Sequence, residues 1–543
     1  MNNKVKLVMG ALLYLCSAIH AEAKVKLPSL ISDGMVLQRE QPVKVWGTAD
    51  AGEKIEIRLF KEKRMKGTYH TMADANGQWS VQLPPTQAGG PYRMQINDME
   101  VKDVLFGDVY LCSGQSNMEL PVRRVTDMFA DEIAAYNNEN IRHFIVPKTF
   151  NFHTPQTDLP EAEWETLNQQ NVMDFSALAY FTAKALYEKN GIPVGLINAS
   201  WGGTPVEAWM SEESLKPFPK YINDKRLYED DAYCRKIKEV EGQDFYRWNL
   251  TLYKGDPGKQ APVQWSDASY DDRSWQTVDM LQDAWGSDRQ KGMAGSHWLR
   301  KSVEIPTTWE GKEAVLRLGC IVDADSVYVN GTFVGTTGYQ YPPRIYPIPA
   351  GILKAGENNV TVRVISNGGQ PHFVPEKPYK IICENEEVSL EGDWKYRQGA
   401  PMPNAPGMMF FCYKPICLYN AMIAPLANYA LKGAIWYQGE SNVDKRDEYA
   451  NLLGILIKDW RDTFHNDTLP FYIVELADFL HPSDIDGRKA WAEMRIEQAK
   501  AAENTPHAWL IRNGDLGEWN DIHPLDKKTL GNRVAEKILD NNQ

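Results

Sequence analysis

The feature that most constrains this chain is an α/β alternation that stops and later resumes. DVYLCS (108–113) is an apolar strand followed by a turn. SALAYFTAKALYEKNG (176–191) is a helix closed by Gly191, and VGLINAS (194–200) is a buried strand. Short apolar runs separated by helices predict a parallel sheet covered by helices. Between about residues 260 and 385 the pattern turns to β. HWLRKSVEI, AVLRLGC, DSVYVNGTFVG and NNVTVRVI follow one another, with Asn330-Gly331 as a hairpin turn. After about residue 405 the alternation returns. LKGAIWYQ, FYIVEL and AWLIRNG are strands, and EYANLLGILIKDWRDTF, RKAWAEMRIEQAKAAEN and KTLGNRVAEKILDN are helices.

The expected organisation is therefore one α/β domain in two parts, 106–259 and 390–543, with a β domain at 260–389 inserted between them. Residues 24–105 read as a further β-sandwich, from VKVWG, KIEIRLF, WSVQLP and YRMQI separated by Gly-containing turns. Residues 1–23 read as a secretory signal peptide. Lys4 and Lys6 precede the apolar run 7–19, and Ala21-Glu22-Ala23 has the form of a cleavage site. The mature chain is expected to be exported, periplasmic or secreted, with no stable membrane anchor.

Composition narrows the function. Lys and Arg number 59 against 72 Asp and Glu, a net charge of −13, and counterion release on nucleic acid needs clustered cations. Mean hydropathy is −0.46, and the single apolar run is N-terminal, which excludes a multi-pass membrane protein. Six cysteines follow Cys16, at 112, 234, 320, 383, 412 and 417, without CxxC or zinc spacing. HExxH, phosphate-loop and EF-hand patterns are absent from the sequence, so neither metal nor cofactor is expected.

Ligands of open α/β sheets lie beyond the carboxyl ends of the strands, and four polar motifs fall there. Gly114-Gln115-Ser116-Asn117 places a serine on a strand-to-helix turn, where backbone N–H groups face developing negative charge. Trp201-Gly202-Gly203-Thr204 brings a glycine backbone close to a ligand. Trp436-Tyr437-Gln438-Gly439-Glu440-Ser441-Asn442 offers the Gln438 amide as an oxyanion donor. Glu440 there is an orienter, a substrate contact or a helix cap. Asn520-Asp521-Ile522-His523-Pro524 supplies His523 as general base to Ser116, with Asp521 the nearest acid to fix its tautomer.

In this order on alternating α/β units, the four motifs resemble the SGNH hydrolase superfamily, and within it the sialate O-acetylesterase family. The resemblance implies a flavodoxin-like three-layer parallel-sheet domain with a β domain before it and, often, another within it. DSVYVNGTFVG is similar to galactose-binding-like jelly rolls. Carried over, Ser116 is the nucleophile and His523 the base, with Asp521 or a backbone carbonyl as orienter and Asp515 as an outside candidate. The N–H of Ser116, a glycine of the 202–203 pair and Gln438 form the oxyanion hole. Gln115, Asn117, Trp201, Glu440 and Asn442 are candidate substrate contacts. The implied reaction is removal of O-acetyl groups from sialic acid. Acetylated xylan or another plant glycan is the alternative substrate, and a glycan-binding protein with a decayed site the alternative class. A sialate carboxylate calls for arginine, and Arg123, Arg124, Arg488 and Arg495 are available.

Overall fold

The computed structural model describes residues 25–281, 285 and 294–541. The expected signal peptide at 1–23 lies outside the described residues. Seven strands form the sheet of the α/β domain, in the order Ala508–Ile511, Phe471–Val474, Gly433–Tyr437, Met99–Gly114, Val194–Ser200, Asn138–Ile145 and Trp164–Leu167. Neighbours run parallel, except that Trp164–Leu167 is antiparallel to Asn138–Ile145. These last two strands carry polar and charged residues through short segments, NENIRHFI and WETL, and the hydrophobic pattern does not mark them.

Helices Ala177–Asn190, Tyr449–Thr463, Ile485–Asn504 and Lys527–Asn541 accompany the sheet. The first begins at Ser176, whose side chain accepts from the Ala179 N–H, and ends at Gly191 in the left-handed region. The last packs so closely on it that Gly531 lies against Phe181, with no room for a side chain.

Met99–Gly114 ties the molecule together. Its first half pairs antiparallel with Gly89–Ile96 and parallel with Val36–Gln38, inside the N-terminal β domain. Its second half lies between Val194–Ser200 and Gly433–Tyr437, inside the α/β sheet. Residues 104–114 are all buried. One apolar core accordingly runs from Val45, Ile57 and Trp79 to Leu111, Ile197 and Ile435. The expected boundary between residues 105 and 106 falls within this strand, so no linker separates the two units.

Besides a short two-stranded pair, Ile321–Val322 with His372–Phe373, the inserted domain has two main antiparallel sheets around a core of its own. One has six strands, from Gln276–Asp279 at one edge to Thr332–Thr337 at the other. The second has four: Ile345–Ile348, Ala314–Leu318, Tyr379–Cys383 and Glu386–Ser389. Between them lie Leu299, Trp309, Val327, Val362, Ile381 and Trp394. The strand Asp393–Pro401 pairs with Gly295–Ile305, so this domain extends past residue 389. Asp256, buried after the helix Asp231–Gly255, fixes the insertion at its root. Its carboxylate accepts from Arg363 Nε at 2.7 Å and Trp298 Nε1 at 3.0 Å. The six described cysteines are free thiols.

Gly114 marks the point where the long strand is pressed against its neighbour. Its φ is +135°, and a Cβ there would sit 2.0 Å from the Tyr437 carbonyl oxygen. Gly114→Ala is expected to lower stability by about 3 kcal/mol, read as a drop in the urea midpoint; an unchanged midpoint would contradict this packing.

Candidate active site

The chain leaves the sheet at Gly114 and turns at once into the short helix Ser116–Glu119. This places Ser116 above the carboxyl end of the central strand. Its Oγ lies 2.9 Å from Nε2 of His523, a hydrogen bond between residues 407 positions apart. His523 lies in the loop before the last helix, and that loop is held on both sides. Asp521 Oδ1 accepts from the His523 backbone N–H at 2.8 Å, and Asn117 Nδ2 donates to the Ile522 carbonyl at 2.9 Å. Burial above all, then the nearby cations Arg124 and Lys527, bring the imidazole pKa down to about 3. The ring is therefore neutral near neutral pH, the form a general base requires.

The loop is gripped from the inserted domain as well. Lys377 Nζ lies 2.7 Å from Glu518 Oε2 and 3.4 Å from Asp521 Oδ2. Asn520 Nδ2 donates to the Pro375 carbonyl and Trp519 Nε1 to Glu376. The Tyr341 ring meets the His523 ring edge-on, with centroids 5.1 Å apart. Arg124 Nη2, from the α/β domain, donates to the Tyr341 carbonyl at 3.0 Å. Sequence reasoning missed Tyr341 and Lys377 because they sit in loops without a motif, and only the tertiary fold brings them to the serine.

Ser116 and His523 open on a cavity of about 620 Å³, walled by Tyr339, Tyr341, Phe410 and Tyr413, with Gln115, Glu119, Arg124, Gly202, Gly203 and Glu440 among its polar lining. Gly203 has φ +76°, and a Cβ there would collide with the Tyr413 hydroxyl at 2.0 Å. Among the described residues, no backbone hydrogen bond uses the N–H of Ser116 or of Gly203. The Gly202 N–H is occupied, donating to Glu119 Oε2 at 2.6 Å, while the other oxygen of Glu119 pairs with Lys148.

Several expected roles are corrected by this geometry. Gln438 does not present its amide to the cavity. It is fully buried, and its Nε2 donates to Asn442 Oδ1 at 2.7 Å and approaches Gln115 Oε1 and the Thr204 carbonyl at 3.2 Å. Asn442 is also buried, donating to Glu207 and accepting from the Val206 N–H, so it is no substrate contact. Asn117 spends its side chain on Glu440, Ile522 and Lys527. Trp201 stands outside the cavity lining, with Lys148 over its ring. Gln115 and Glu440 do line the cavity. Asp521 lies 3.8 Å from His523 Nδ1, beyond hydrogen-bond length, and Nδ1 has no partner among the described residues. Asp515 pairs with Arg533 at the surface, away from the histidine.

A buried network of titratable groups lies beneath Ser116. Lys527, the first residue of the last helix, is fully buried and donates to Asn117 Oδ1 at 2.8 Å. Burial lowers its pKa to about 7, against the pull of Glu440, Asp521 and Glu518. Glu440 accepts from Asn117 Nδ2 at 2.7 Å, and burial raises its carboxyl above the usual range. Asn117 thus bridges a cation and a carboxyl group one residue after Ser116. Lys527 gave no sequence signal, because it reads as an ordinary lysine beside Lys528. Among the described residues, no group of three His, Cys, Asp or Glu is placed to hold a metal ion.

A serine hydrogen-bonded to a neutral histidine, on a strand-to-helix turn with free N–H groups, is an arrangement able to carry out acyl transfer at the end of a parallel α/β sheet. Residues 106–241 and 411–540 match the profile of a carbohydrate esterase family, the sialic acid-specific acetylesterases. The chain is 24% identical to a rat (Rattus norvegicus) sialate O-acetylesterase over 545 residues, covering 94% of this chain and 72% of the relative. A Pongo abelii sialate O-acetylesterase is 32% identical over 209 residues, 35% of this chain and 40% of the relative. A solved carbohydrate acetylesterase from Xanthomonas citri shares the fold, with a TM-score of 0.55 and 24% identity over 94% of this chain and 74% of that one.

Two outcomes follow. Protonation of His523 removes the base, and its pKa is lowered, so activity should persist as pH falls below 6.5. The acid limb of kcat/KM is expected well under that value, and a limb at 6.5 or above would contradict the burial argument. Asn117→Ala strands Lys527 without its acceptor and is expected to cost about 2–4 kcal/mol of stability. Unchanged urea unfolding would contradict it.

Proposed function

We propose that this protein is an esterase that removes O-acetyl groups from sialic acid by two-step acyl transfer at Ser116. The observation that carries the reading is the 2.9 Å contact from Ser116 Oγ to His523 Nε2 at the wall of an aromatic-lined cavity. His523 takes the hydroxyl proton as Oγ attacks the acetyl carbonyl. The charge that builds on the carbonyl oxygen is met by the N–H groups of Ser116 and Gly203. Gly202 joins them when the substrate displaces the Glu119 oxygen. The sugar oxygen leaves with the proton held by His523, and water then cleaves the acetyl-serine by the same route. Asp521 faces Nδ1 as the acceptor of this triad and reaches hydrogen-bond distance as the imidazolium forms; such bonds tighten on going from the free enzyme to the reacting complex.

The strand order around Met99–Gly114, with Ser116 and His523 at its carboxyl end, supports an SGNH-type layout. The two stacked antiparallel sheets of the insertion support a jelly roll of galactose-binding type. The leader at 1–23 supports export to the periplasm or the medium, where an acetylated sialoside is the expected substrate.

The test is acetate release from a 9-O-acetyl sialoside by the mature chain. Ser116→Ala is expected to lose at least about 10³-fold in kcat with the fold intact. A mutant with normal turnover would overturn the assignment.

A further inference from the structure

We propose that Arg124 binds the substrate carboxylate, so that this site selects O-acetylated sugar acids over neutral acetylated sugars. The inference rests on the esterase reading above and adds to it the group that reads the sugar. Four arginines are available in the sequence, and the structure separates them. Arg123 pairs with Asp174 at the surface. Arg488 is engaged by Asp478 and the Leu480 carbonyl, and Arg495 faces Asp478 at 3.7 Å. Arg124 lines the cavity beside Ser116 and His523.

Three features of Arg124 mark it as waiting for an anion. Among the described residues it has no carboxylate within ion-pair distance, in a chain that carries 13 more acidic than basic side chains. Its Nη2 donates to the Tyr341 carbonyl, which anchors the guanidinium without neutralising it. Its Nε is buried and has no partner among the described residues, a costly state unless a ligand completes it. The other charged side chains in the lining have partners of their own: Glu119 is engaged by Lys148 and the Gly202 N–H, and Glu440 by Asn117 through one oxygen, the other having none among the described residues. A carboxylate fits the guanidinium through short charge-assisted hydrogen bonds. The cavity holds the arginine and the nucleophile together, so carboxylate and acetyl ester must belong to one sugar.

The position has a catalytic consequence. Arg124 is one of the two cations that depress the basicity of His523, after burial. A bound carboxylate offsets that cation, leaving the imidazole a stronger base once an acidic substrate is seated. Selection would then act on kcat as well as on KM.

The experiment compares kcat/KM for a 9-O-acetyl sialoside supplied as free acid and as carboxyl methyl ester, with wild type, Arg124→Gln and Arg124→Lys. Wild type is expected to favour the acid by about 10–100-fold. Arg124→Gln should bring the ratio close to one, and Arg124→Lys should recover part of it; circular dichroism verifies that each variant is folded. A wild type that treats acid and ester alike, or a preference that survives in Arg124→Gln, would overturn the proposal while leaving the esterase reading intact. Turnover of neither compound by wild type would overturn both.

Discussion

The site depends on one strand. Met99–Gly114 begins in the N-terminal β domain and ends at the centre of the α/β sheet, buried along its second half. Its end at Gly114 is pressed onto the Tyr437 carbonyl, so the chain must turn there without a side chain. Ser116 is consequently fixed by the packing of two domains rather than by a free loop. Precision of this kind matters in acyl transfer, where much of the rate comes from holding nucleophile and base in line.

The partner of that serine is fixed differently. His523 lies on a loop with no regular structure of its own, held from below by Asn117 and Asp521 and from the side by Tyr341 and Lys377 of the insertion. The insertion therefore shapes the site as well as standing beside it. Beneath Ser116 and His523, Asn117 joins Lys527 to one oxygen of Glu440, which gives each of these buried groups a hydrogen-bond partner, while Glu440 Oε2 has none among the described residues.

Ser116 and His523 were legible because each stands in a short polar motif at a strand end or before a helix. The α/β frame was legible from apolar runs, and the insertion from the change to β patterning. Gln438 and Asn442 were misread for a physical reason. A polar residue at a strand end can face the cavity or turn inward to a buried network, and residue type does not decide between them. Asn138–Ile145 escaped notice because it mixes charged residues into a strand. Tyr341, Lys377 and Lys527 act through contacts far apart in sequence, which no local pattern encodes. Arg124 was visible only as one of four, and its cavity position separates it from the rest.

The most direct test of the central claim is to trap the acyl-enzyme. Wild-type protein would be acid-quenched early in turnover of an aryl acetate and mapped by mass spectrometry of its peptides. The account predicts a single acetyl group on the peptide that contains Ser116, absent in Ser116→Ala. Acetyl transfer to another side chain, or turnover with Ser116 never modified, would contradict it.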